Sequence, residues 1–191
     1  MTDFHALPPD LPVPRDDGAA DHLPGLRLPA RALTATAGGS VDLAAAAAAA
    51  GTLVLYVYPR TGVPGEPSPD GWDAIPGARG CTPQSCAFRD HHAELRAAGA
   101  DVLGLSAQRL EEQAEFAARE HLPFALVSDS ELRLAAALRL PTFEAGGMRL
   151  YKRITLIAEA DRTIAKAFYP VFPPQRNAAD VLAWIRSRNR R

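Results

Sequence analysis

Lysine is almost missing from this chain: it occurs only at Lys152 and Lys166, and the remaining basic residues are arginine. No charge of one sign prevails. A formal net charge of −1 offers nothing that would hold nucleic acid or an anionic membrane surface. Long apolar runs are lacking as well. The most apolar window, Leu43 to Tyr58, is sixteen residues and contains Gly51, short of the roughly 20 residues that span a bilayer. Met1 to Ala30 carries Pro and acid in place of the basic start and apolar stretch of a secretory signal. No internal repeat is present. A cytoplasmic protein is the expectation. Cysteine is scarce too, with only Cys81 and Cys86, which excludes a disulfide framework. In a reducing cytosol, a close pair is more often redox-active or metal-binding than structural.

What is there suffices for one ordinary domain with a real core: 191 residues, 47% of them hydrophobic. Residues 1–24, with five prolines, read as an N-terminal arm, and 25–191 as the folded domain. Leu26 to Leu28 and Leu33 to Thr36 suit short strands. The alanine run from Asp42 to Ala50 suits a helix. Thr52 to Tyr58 is a compact β-branched and aromatic run, expected as a buried central strand that Pro59 ends. Residues 60–80, rich in Pro and Gly, form a long loop. Beyond it, Cys81 to Ala98 is expected as a helix, Asp101 to Ser106 as a strand, and Leu110 to His121 as a helix. Phe124 to Val127 suits a strand, and Ser130 to Leu138 a helix capped by Ser128 or Asp129. Ile154 to Ala158 and Thr163 to Tyr169 suit a hairpin, and Ala178 to Arg186 a helix capped by Asn177. Strands alternating with helices, then a hairpin and a helix, give an α/β class with a central mixed sheet flanked by helices. The thioredoxin fold has this plan.

Cys81 falls at the start of its helix. Unpaired N–H groups and the positive end of the helix dipole favour an anion there, so this thiol is expected to be a good nucleophile. Five residues along an intact helix hold the Cα atoms of Cys81 and Cys86 roughly 8–9 Å apart, whereas a disulfide needs less than about 7 Å. The pair can bond only if the first turn unwinds, which suits a switch better than a static crosslink. Other readings stand beside this one. Cys81, Cys86, His91 and His92 could be proposed as zinc ligands, although their helical spacing does not converge on a tetrahedral centre. Both cysteines could also be inert core residues.

Tyr56-Val57-Tyr58-Pro59, followed by Gly80-Cys81-Thr82-Pro83-Gln84-Ser85-Cys86-Ala87-Phe88-Arg89-Asp90, resembles the active-site segment of the peroxiredoxins. The pattern is most like the Q-type, or bacterioferritin-comigratory, branch with Cys-x4-Cys on one helix. Val102 to Ser106, Leu122-Pro123-Phe124 with Ser128-Asp129, and Arg153 to Ile157 keep the same order, so the resemblance covers about residues 26 to 189. It implies a thioredoxin-like fold and a thiol peroxidase acting on hydrogen peroxide or organic hydroperoxides. By position, Cys81 matches the cysteine that attacks peroxide and Cys86 the one that resolves it as an intrachain disulfide. Arg153 matches the family arginine beside the sulfur, and Pro59 the proline that shields it. The resemblance further implies an external dithiol such as thioredoxin as reductant, with no metal or organic cofactor. An intrachain disulfide needs no second subunit, which makes a monomer the default.

The match breaks at one element. The family has Thr or Ser three residues before the attacking cysteine; here that residue is Ala78, or Val63 if the 60–80 insertion enters just before Cys81. Thr61 is then the hydroxyl expected to return to the sulfur and take the donor role. Trp72 is expected to anchor the insertion. This departure also motivates a rival reading, a thioredoxin-fold redox-sensing or binding protein without peroxidase turnover.

Overall fold

Strand β3 (Thr52–Val57) divides the interior in two because successive side chains leave a strand on opposite faces. Leu53, Leu55 and Val57 enter one core with Leu43, Leu105, Leu134 and Leu156. Val54, Tyr56 and the adjoining Tyr58 enter the other, with Cys81, Phe88, Phe116 and Val181. The thiol chemistry thus sits on the aromatic face of the central strand. The computed structural model describes residues 4–190.

In chain order, the elements before and around β3 are β1 (Ala32–Ala35), β2 (Ser40–Asp42) and α1 (Leu43–Ala50). After the 60–80 loop come α2 (Cys81–Asp90), α3 (His92–Ala97), β4 (Ala100–Ser106), α4 (Leu110–Arg119), β5 (Leu126–Ser128) and α5 (Arg133–Leu138). The chain ends with β6 (Thr142–Ala145), β7 (Met148–Tyr151), β8 (Ile154–Glu159), β9 (Ile164–Phe168) and α6 (Asn177–Asn189). Seven strands form one mixed sheet in the order β2-β1-β5-β4-β3-β8-β9, and β6 pairs with β7 apart from it. β3, β4 and β5 run parallel, joined by helical crossovers, while β8 lies antiparallel on the other side of β3. This is the expected α/β class and the thioredoxin-like plan, with helices on both faces of a central mixed sheet.

Several details differ from the sequence reading. The helix expected over Cys81 to Ala98 is broken at His91 into α2 and α3. The Leu26 to Leu28 strand reduces to a single bridge from Arg27 to Thr163. The β6–β7 hairpin was not expected; it turns at Gly146-Gly147, both with positive φ. Asn177 does not cap α6 but lies within it, and its Oδ1 accepts from Gln84 Nε2 at 3.0 Å and Thr155 Oγ1 at 2.7 Å. The pull on that side chain comes from buried polar partners, which cost free energy if left unpaired. Trp72 does pin the insertion, packing with Ala78, Ala145, Leu150 and Phe143.

α5 starts at Arg133 and not at Ser130, with Leu132 at its N-cap, yet Asp129 still serves its first turn. Its two oxygens accept from the N–H groups of Arg133 (2.9 Å) and Leu134 (2.8 Å), and one also accepts from the buried Tyr151 hydroxyl. Asp129→Ala removes a helix cap and strands buried donors together. It should cost about 2–4 kcal/mol, read as a lower urea midpoint with an unchanged slope.

Candidate active site

The site begins with Gly80, whose φ of 105° and ψ of 21° turn the chain sharply into α2. Such a conformation favours glycine, and a Cβ there would also press on Pro174 and come within 3.1 Å of Leu7. Cys81 follows as the first helical residue and is only 3% exposed. Its Sγ lies 3.7 Å from the Ala78 carbonyl and 3.3 Å from Arg153 Nη2. Arg153 rises from the start of β8 and is itself 3% exposed.

Arg153 is held from several directions. Nη2 donates to the carbonyls of Gly77 (3.2 Å), Ala78 (3.1 Å) and Arg79 (3.1 Å), and Nη1 donates to Gln84 Oε1. Ala78 therefore contributes through its backbone where its side chain has nothing to give. Among the described residues no carboxylate forms an ion pair with Arg153. A buried charge without a counter-charge is costly. A thiolate at Cys81 would supply one.

Thr61 and Cys81 line one small cavity of about 30 Å³, together with Phe4, Gly62, Val63, Trp72, Arg79 and Thr82. A single water needs roughly 10–15 Å³. Thr61 is fixed by Gln108. Its N–H and hydroxyl both donate to Gln108 Oε1, at 2.8 and 3.0 Å, and its carbonyl accepts from Gln108 Nε2 at 3.3 Å. The hydroxyl proton is thus engaged away from the cavity in this structure. Pro59 is buried at the end of β3, and its carbonyl accepts from Ser106 Oγ at 3.0 Å.

Cys86 lies one and a half turns along α2, also buried. Its Sγ donates to Glu120 Oε2 at 3.5 Å. Burial pushes its pKa up to about 11; Glu120 adds to the rise and Arg89 opposes it. Cys86 is therefore a thiol at neutral pH. The helix is continuous between the two cysteines, and both thiols are free. His91 and His92 do not join them: His91 Nδ1 meets the Ala87 carbonyl, and His92 packs on Phe124. A different set, His5, Cys86 and Glu120, brings three possible metal ligands within 4.8 Å. Glu120 there already faces the guanidinium groups of Arg89 and Arg119, whose charge opposes a cation.

A model of the Redoxin family matches residues 21–182. The chain belongs to the redoxin family. Among curated relatives of this redoxin, the chloroplastic peroxiredoxin Q of Sedum lineare is 28% identical over 135 residues, covering 71% of this chain and 63% of the relative. The chain thus spans less than two thirds of that relative's length. Peroxiredoxin Bcp of Escherichia coli strain K12 is 29% identical over 137 residues, covering 70% of this chain and 78% of the relative. The crystal structure of peroxidoxin BcpB from Mycobacterium tuberculosis superposes with a TM-score of 0.70 at 25% identity, over 86% of this chain and 96% of that one. The likeness is to the Q-type peroxiredoxins, as the Cys-x4-Cys segment implied.

The sequence reading missed Arg79, Gln84, Gln108, Glu120 and Phe4. Arg79 and Gln84 flank Cys81 at two and three residues, and a buried helix start is the one signal that could have drawn them in. Gln108, Glu120 and Phe4 reach the site only through the tertiary fold. Glu120 acts on Cys86 in a definite direction: its negative charge disfavours the thiolate, so neutralising it favours the thiolate. In a Cys81→Ser background, Glu120→Gln should make Cys86 titrate about one pH unit lower than in the Glu120 form. Ultraviolet thiolate absorbance against pH measures this, and an unchanged curve would leave burial alone as the cause.

Proposed function

We propose that the protein is a thiol-dependent peroxidase that reduces hydrogen peroxide or an organic hydroperoxide through Cys81. The observation that carries the reading is the Cys81 sulfur at a helix start, 3.3 Å from a buried arginine that has no carboxylate partner among the described residues. Arg153 and the N–H groups of the helix start favour the thiolate electrostatically. The sulfur attacks one peroxide oxygen, the O–O bond breaks, and the departing oxygen leaves as water or an alcohol after taking a proton. Cys81 becomes a sulfenic acid.

The first turn of α2 then unwinds. The Cys86 sulfur attacks the Cys81 sulfur, water leaves, and an intrachain disulfide remains. An external dithiol, thioredoxin or a protein like it, returns two electrons and two protons by exchange. The chemistry calls for no metal or organic cofactor. We assign it to the domain over 25–191 of a cytoplasmic protein acting as a monomer. Consistent with a protein free of the bilayer, among the described residues no helix is long and apolar enough to cross a membrane.

Stopped-flow oxidation by hydrogen peroxide with thiol counting tests the reading. The parent should lose two thiols per chain, and a dithiol should restore them. Cys81→Ser should abolish turnover. Cys86→Ser should keep the first oxidation but accumulate sulfenic and then sulfinic acid, visible by mass spectrometry. Peroxide turnover by Cys81→Ser would refute the assignment.

Two further side chains take roles in this reading. Arg153 stabilises charge on the sulfur, and Arg153→Ala should slow peroxide attack by about a hundredfold. Thr61 orients the peroxide. With its proton on Gln108, its oxygen would accept from the hydroperoxide O–H; donating instead requires the hydroxyl to turn away from Gln108. Thr61→Val should slow the second-order rate by about tenfold, a single neutral hydrogen bond. A rate equal to the parent would leave Thr61 a loop residue.

A further inference from the structure

The cavity beside Cys81 is narrowed by a residue far from it in sequence. Phe4 lines the same space as Cys81 and Thr61. Its ring lies on Gly62 so closely that a Cβ on that glycine would overlap three ring carbons. Gly62 is not among the glycines with positive φ, so the space, and not the backbone angle, is what requires glycine. On its other side the ring stacks under Arg79, whose guanidinium carbon is 5.3 Å from the ring centroid, in the range of a cation–π contact. The neighbouring residues hold the segment down. His5 Nε2 is 3.5 Å from Glu120, and Leu7 abuts Gly80.

The size of this space sets what can reach the sulfur. About 30 Å³ is close to two water positions, which matches the two oxygens of hydrogen peroxide and leaves nothing for an aryl or alkyl chain. We infer that Phe4 is a specificity-determining lid: with the ring seated on Gly62 the site takes hydrogen peroxide, and a bulky hydroperoxide reacts only after displacing it. This rests on the peroxidase reading and narrows its substrate class to the small peroxide.

The test compares second-order rates of the reduced full chain with hydrogen peroxide and with cumene hydroperoxide. Phe4→Ala should raise the ratio of the cumene to the hydrogen peroxide rate by about fivefold or more, the worth of one ring contact and one cation–π contact. Gly62→Ala, which expels the ring by overlap, should move the ratio the same way. An unchanged ratio in Phe4→Ala would overturn the lid. A second readout does not depend on peroxidase activity. In the Cys86→Ser background, alkylation of Cys81 by N-phenylmaleimide relative to iodoacetamide should rise when Phe4 is Ala. A parent that consumes no peroxide defeats the peroxidase reading alone. The alkylation ratio then decides the lid: raised, it stands; unchanged, it falls.

Discussion

Arg153 holds a full positive charge where water cannot reach it, and no carboxylate among the described residues neutralises it. Its partners are three consecutive carbonyls, one glutamine oxygen and one sulfur. Dipoles can solvate a guanidinium but leave its net charge uncompensated, and in a low-dielectric interior that is expensive. A negative charge brought beside it would offset that cost. Gathering the carbonyls of Gly77 to Arg79 has a second effect. It fixes the end of a long insertion in a path that delivers Gly80 and Cys81 to the arginine. The same contacts thus hold the loop end and place the sulfur beside the guanidinium.

The helix that carries both cysteines is bound by opposing demands. Formation of a disulfide needs its first turn to open, yet Cys81, Thr82 and Gln84 to Phe88 are all buried. Gln84 spans Arg153 and Asn177, and Ser85 accepts from the buried Tyr56 hydroxyl at 3.1 Å. Unwinding must break these contacts, so the reduced helix is held closed until a sulfenic acid makes opening worthwhile. Cys86, kept protonated by burial and by Glu120, stays unreactive meanwhile and needs exposure to become a nucleophile. Opening the helix provides that exposure.

The parts of this arrangement that were legible in the sequence are those with local causes. Thr52 to Tyr58 could hardly be anything but a buried strand, and Cys81 directly after a glycine and a loop could be placed at a helix start. The Asp129 cap followed from a residue type at a helix boundary. Asn177 had the same local signature and went elsewhere, since Gln84 and Thr155 offered buried partners that no local rule can see. The β6–β7 hairpin was missed although Gly146-Gly147 marks its turn and Thr142 to Ala145 alternates polar and apolar, because each strand is only four residues long, at the lower limit of a readable period. The site divides along the same line. Cys81, Cys86 and Arg153 could be placed through family resemblance, while Arg79 and Phe4 meet in the cavity only because the insertion and the arm fold over one another, and Gln108 holds Thr61 from outside it.

The insertion also explains how a site without the family hydroxyl can be built. Trp72 fastens the middle of the loop to the β6–β7 hairpin, so its two ends return to the same place: Thr61 at one end and Arg79 with Cys81 at the other. The loop thereby encloses the sulfur on the side that Arg153 does not cover, and the remaining opening is small enough for one aromatic ring to close. Preorganised cations beside a narrow pocket raise the gain from every charge that develops on the peroxide oxygens. The same narrowness makes the sulfur hard to reach. A seat made by Gly62 and a single guanidinium is a weak hold for a phenyl ring, and that weakness reconciles the two needs: the pocket is closed on average, yet opening it costs little.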